Sequence, residues 1–150
     1  MADNPLLGTW QLQRWQITYA DGRPPTLPFG AQATGLIVYS HDGWMNACIA
    51  TAARPRLSSD SVRSAPVPER LAAFESFFQY AGRYHLQQGP AGLEVVHAVT
   101  HALNPNFVGT QQVRAVQFDA QGVLSLSASD TVPGSAVARH HVLAWARAVQ

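Results

Sequence analysis

The chain has 150 residues, enough for one domain with a proper core. Hydrophobic residues make up 47% and charged residues 13%, against a usual charged fraction of about a quarter, so a disordered chain is excluded. The formal net charge of +1 supplies no basic field for a phosphate backbone, which argues against a nucleic-acid partner.

All ten basic residues are arginines, which removes Schiff-base chemistry through a side-chain amine. Cys48 is the sole cysteine; it reads as a small buried hydrophobe and allows no intrachain disulfide or multi-cysteine zinc site. So little charge predicts that the chain hides much of its surface or self-associates, with a homodimer as the expected assembly. The start MADNPLLGTW lacks a basic segment followed by an apolar stretch, and no apolar run is long enough to cross a membrane. No membrane partner and a cytoplasmic location are the expectations.

In chain order, TWQLQRWQITYA (9–20) places Trp10 and Leu12 on one face and then Trp15, Ile17 and Tyr19 on the other, a phase change that predicts a bulge near Gln13–Arg14. A Pro-rich loop (21–30) leads to TGLIVYS (34–40), the turn HDG and WMNACIAT (44–51), which read as a hairpin. Residues 53–68 are polar and punctuated by prolines, hence a loop. The spacing of Leu71, Phe74 and Phe78 predicts a helix over 69–80, started by Pro68 and ended by Gly82.

Strands resume with GRYHLQQ (82–88), the GPAG turn and LEVVHAVTHAL (93–103). The loop NPNFVG (104–109) precedes TQQVRAVQFD (110–119), the turn AQG, VLSLSA (123–128), a loop and AVARHHVLAWARA (136–148). About eight short strands with one helix after the third predict a closed antiparallel barrel, an all-β single domain over 1–150.

An ordered set of motifs runs along nearly the whole chain: LLGTW (6–10), TGLIVYSHDGWM (34–45), YAGRY (80–84), VVHAV (95–99), NPNFVG (104–109), Arg114 and LAW (143–145). Gly8-Thr9-Trp10 resembles the lipocalin G-x-W signature, and the full set resembles the lipocalin-like domain family of bacterial and fungal single-barrel proteins. The resemblance implies an eight-stranded antiparallel calycin-type barrel whose base is closed by Trp10. Phe107 and Ala102 depart from it, standing where a tryptophan and a serine are expected. For function it implies a carrier of small apolar molecules, since relatives in the wider superfamily are mostly such carriers. Some barrels of this type instead act as cofactor-free cyclases or isomerases in natural-product biosynthesis.

Alternation on the strand 93–103 places Val95, His97, Val99, His101 and Leu103 on one side. The other side carries Glu94, so the histidine side is the candidate interior. Arg114, Val116 and Phe118 form an apolar face containing one cation, and acidic residues to pair with it are scarce on the strands. An anionic or carbonyl-bearing ligand is one account of Arg114. Outward orientation, or pairing with Glu94, a tyrosine hydroxyl and carbonyls, is the other. His97 reads either as a core imidazole bonded to a carbonyl or to Tyr84, or as a ligand-facing group.

Tyr39, Trp44, Phe78, Tyr84, His97, His101, Arg114 and Trp145 are the candidate ligand-binding residues, with ordinary core packing as the plain alternative for the aromatics. His97, Arg114 and Tyr84 are the candidates for acid–base catalysis. His97 and His101 would stand roughly 13 Å apart on a strand, too far to share an ion, and no metal is expected. Neither haem nor any other cofactor has a feature in its favour. The expected function is binding of a small, mainly apolar molecule with a polar or anionic group. A cofactor-free cyclase or isomerase in the same cavity, and a filled-barrel structural or interaction module, are the alternatives.

Overall fold

Residues 3–149 are described by a computed structural model, and the alternating apolar pattern becomes eight strands among them. They are β1 (Gly8–Tyr19), β2 (Thr34–Tyr39), β3 (Trp44–Ala50), β4 (Phe77–Gly89), β5 (Gly92–Ala102), β6 (Gln111–Phe118), β7 (Leu124–Thr131) and β8 (Ala138–Arg147). Each pairs antiparallel with its sequence neighbour, and β1 closes on β8. Closure leaves no sheet edge to protect, which suits a chain with little charge to spend on edges.

β1 carries its register shift between Leu12 and Arg14, where the change of face required one. Trp10 and Leu12 precede the shift on the inside, and Ile17 follows it buried. Below them, Trp10 Nε1 donates to the Leu6 carbonyl at 2.9 Å, and both side chains are fully buried at the barrel base. Arg147 covers the outer face of the Trp10 ring at 4.2 Å.

The helix differs from expectation. It spans Val67–Glu75, and Phe77, Phe78, Gln79 and Tyr80 belong to β4, where Ala50, Ile49, Cys48 and Ala47 pair with them. A nine-residue helix with no buried residue gains little from continuing, whereas strand pairing turns Phe78 and Tyr80 into the barrel. Leu71 and Phe74 stay 55% and 50% exposed, so the expected Leu71–Phe74–Phe78 face does not exist.

Gly82 is likewise not a helix stop; it lies inside β4, where a Cβ would run into the Ala98 carbonyl oxygen. The close approach coincides with a bulge. Ala81 pairs with His101 and Gly82 with Val99, leaving Thr100 without a partner. One unpaired residue reverses the side-chain alternation beyond it. Val95, His97 and Val99 therefore face inward, while His101 is exposed and bonded to Thr100 Oγ1 at 2.9 Å. Ala102 takes the inward place opposite Tyr80.

Candidate functional site

A cavity of about 330 Å³ occupies the half of the barrel opposite Trp10, near the lower limit of the ~300–1,000 Å³ of small-molecule sites. Its apolar wall includes Ile37, Ile49, Phe78, Phe107, Leu126 and Leu143. Phe107 enters from the 3-10 turn Pro105–Phe107, capped by Asn104, whose side chain accepts from the Asn106 amide at 3.0 Å. It stacks edge-on against Phe78 at 5.7 Å, so the ring that replaces the expected tryptophan does line the cavity.

The cavity floor is polar. His97, 2% exposed, sits between two tyrosines: Tyr39 Oη at 2.7 Å from Nε2 and Tyr80 Oη at 2.6 Å from Nδ1. Burial, followed by the nearby Arg114 charge, pushes the His97 pKa down to about 3, so the imidazole is neutral at any physiological pH. Burial likewise raises the pKa of both tyrosines, which hold their protons. Tyr39 stands behind His97 and does not line the cavity, whereas His97 and Tyr80 do.

Tyr84, expected to serve His97, points elsewhere. It is the register partner of His97, but its hydroxyl donates to the Ser40 carbonyl at 2.7 Å and accepts from Asn4 Nδ2 at 2.9 Å. Its side chain ties the base of the barrel together and lies outside the cavity lining. Trp44 and His101 are also outside. Trp44 is 45% exposed on the outer surface, stacked under Arg83 at 4.8 Å, because the burial pattern of β3 turns Met45, Ala47 and Ile49 inward instead. His101 is turned out by the Thr100 bulge.

Arg114 faces in. Its register partner is Val95, it lines the cavity, and its charge bears on His97, Tyr39 and Tyr80. The guanidinium donates to the Val113 carbonyl at 3.0 Å and to Gln112 Oε1 at 3.3 Å, and no carboxylate lies within ion-pair distance among the described residues. Trp145 closes the inner wall, fully buried, and its Nε1 donor has no hydrogen-bond partner among the described residues.

A second polar group forms the rim. Asp130 is bound by Arg139 at 2.6 Å and by His141 Nε2 at 3.2 Å, and the Arg139 hydrogen bond holds its carboxyl below the usual range. Trp15 Nε1 donates to His141 Nδ1 at 3.2 Å. That nitrogen is therefore bare, and the proton of a neutral His141 sits on Nε2, facing Asp130. Burial lowers the His141 pKa, opposed by Asp130. Strand alternation does not single this group out, because the one acid on an inward position of β7 lies past Ala128, where the apolar pattern fades. Tyr80 is hidden for a different reason: it falls within the 69–80 span whose apolar spacing reads as helix, whereas it belongs to β4.

Among the described residues no three His, Cys, Asp or Glu side chains converge as metal ligands, and no helix is long and apolar enough to cross a membrane. No curated protein matches the chain. At family level, however, residues 7–148 match the lipocalin-like domain, which agrees with the closed eight-stranded barrel and its internal cavity. The chain belongs to the lipocalin-like domain family.

Proposed function

We propose that this protein binds a small, mainly apolar molecule bearing one polar or anionic group, held inside the barrel with that group toward Arg114. The family match supports small-ligand binding in general. The observation that carries the finer reading is Arg114 itself: a cation lining the cavity without a carboxylate partner among the described residues, while the acid at the rim is already bound by Arg139. An unpaired charge in such a place costs stability unless something else compensates it, and a ligand does so. A cavity of about 330 Å³ speaks against the filled-barrel module.

A cofactor-free cyclase or isomerase is the second reading, supported by one feature: the Tyr39–His97–Tyr80 chain opens onto the cavity beside a cation, an arrangement suited to polarising a carbonyl. A cytoplasmic site of action belongs to the proposal, and the lone Cys48, without a disulfide partner, suits it. Native mass spectrometry of the protein purified from cells tests binding. A retained small molecule that Arg114→Gln releases supports it; ligand-free protein that takes up no apolar acid refutes it. Conversion of the retained molecule on incubation would select the enzyme.

A further inference from the structure

The hydrogen bonds around His97 fix which way its protons point. A neutral imidazole donates through one nitrogen and accepts through the other, so of Tyr39 and Tyr80 one hydroxyl gives its hydrogen to His97 and the other receives one. Among the described residues, His97 is the sole hydrogen-bond partner of both hydroxyls. If Tyr39 received, its own hydrogen would be stranded in the core, because Tyr39 is fully buried and does not border the cavity. A buried, unsatisfied donor costs about 1–3 kcal/mol. If Tyr39 donates to Nε2, then Nδ1–H donates to Tyr80 Oη, and the Tyr80 hydrogen is released toward the cavity that Tyr80 lines.

The other cavity groups lean the same way. Gln112 Oε1 is engaged by Arg114, His141 Nδ1 by Trp15, and Asp130 by Arg139 and His141. What is left over is the Tyr80 hydroxyl hydrogen and the remaining guanidinium hydrogens of Arg114. The uncommitted polar groups are thus donors, one of them cationic.

From this we infer that the polar end of the ligand is a carboxylate, and that Tyr80 donates the directing hydrogen bond to it with His97 as a positioning residue. The inference rests on the cavity-binding proposal and sharpens it. An amine finds the cavity acceptors already engaged, Asp130 by Arg139 and His141 and Gln112 Oε1 by Arg114, and its charge opposes Arg114. An alcohol can use the donors but gains nothing from the cation. A carboxylate uses both.

Two measurements test this. Long-range ¹⁵N–¹H correlation spectra of the protein without added ligand report the His97 tautomer; Nδ1–H is expected, and Nε2–H overturns the inference. Calorimetric titration with decanoate, 1-decanol and decylamine then reads the cavity. Decanoate should bind at least tenfold more tightly than decylamine, and Tyr80→Phe should weaken decanoate at least tenfold while changing 1-decanol less. Equal affinities for acid and amine, or decanoate binding unmoved by Tyr80→Phe, overturn the inference but leave cavity binding standing. Binding of none of the three overturns the cavity proposal, and the inference with it. Should Tyr80→Phe not fold, the tautomer and the acid-over-amine preference of the unaltered protein decide the outcome.

Discussion

Tyr80 Oη and His97 Nδ1 lie 2.6 Å apart, joining the start of β4 to the middle of β5 inside the barrel. With the Tyr39 bond at Nε2, both imidazole nitrogens are committed, and the ring is buried in its neutral form. Stability should therefore depend on pH. In the unfolded chain His97 titrates near 6.5, and in the fold near 3. The unfolded state takes up the proton first, so stability is fully present above about pH 6.5 and is lost as pH falls toward 3. Between pH 7.5 and 5 the loss is on the order of 2 kcal/mol. His97→Gln should start lower at neutral pH, by about 1–3 kcal/mol for its stranded tyrosine partners, yet show a flatter pH dependence. Urea unfolding of both proteins at the two pH values checks this, and parallel curves would reject it.

Arg114 behaves oppositely. Its hydrogen bonds run to one adjacent backbone carbonyl and one glutamine, and its charge meets no acid among the described residues. Arg114→Leu should leave the melting temperature unchanged or raise it, because a partly buried cation with no acid beside it gains little from folding. Decanoate affinity should fall at least tenfold, about 1.4 kcal/mol. A lowered melting temperature with affinity intact would make Arg114 a structural residue.

The β4–β5 bulge predicts a pair of contrasting variants. Gly82→Ala forces a methyl group against the Ala98 carbonyl and the Thr100 amide, both backbone atoms that cannot swing aside. It should cost about 1–3 kcal/mol, as overpacking usually does. His101→Ala, on the exposed side of the same bulge, should change stability by less than about 0.5 kcal/mol and leave ligand affinity alone. Denaturant midpoints and calorimetry on the two variants check both statements; a tolerated Gly82→Ala would contradict the close approach.

The segment 53–76 should open before the barrel does. It connects β3 to β4 at the cavity end, yet none of its residues lines the cavity, and its helix buries none of its own. Its bonds run mainly within itself, Arg54 to Ala73 and Ser76, Ser58 to Glu69. Hydrogen exchange should be fastest here and slow on adding decanoate if the segment acts as a lid. Exchange that is as slow as in β5, or that ignores the ligand, removes the lid role.

The barrel is legible from the chain alone. Alternation of Trp10 and Leu12, then Trp15 and Ile17, located the β1 bulge, and eight apolar-alternating runs specified the strands, since a pleat reads locally with period two. The same alternation turned His97 and Arg114 inward. The remaining features depend on contacts between distant strands. Phe77–Tyr80 fits a helix as well as a strand until β3 offers a pairing edge, and Thr100 looks like any strand residue until Gly82 brings two backbones too close for regular pairing. Tyr84 is the register partner of His97, yet Tyr39 and Tyr80 hold it, because a hydroxyl about 6 Å beyond its backbone is placed by packing and not by register. Asp130, Arg139, His141 and Trp15 meet only when β1, β7 and β8 are side by side, a closure that joins the two ends of the chain and leaves no trace in any local stretch.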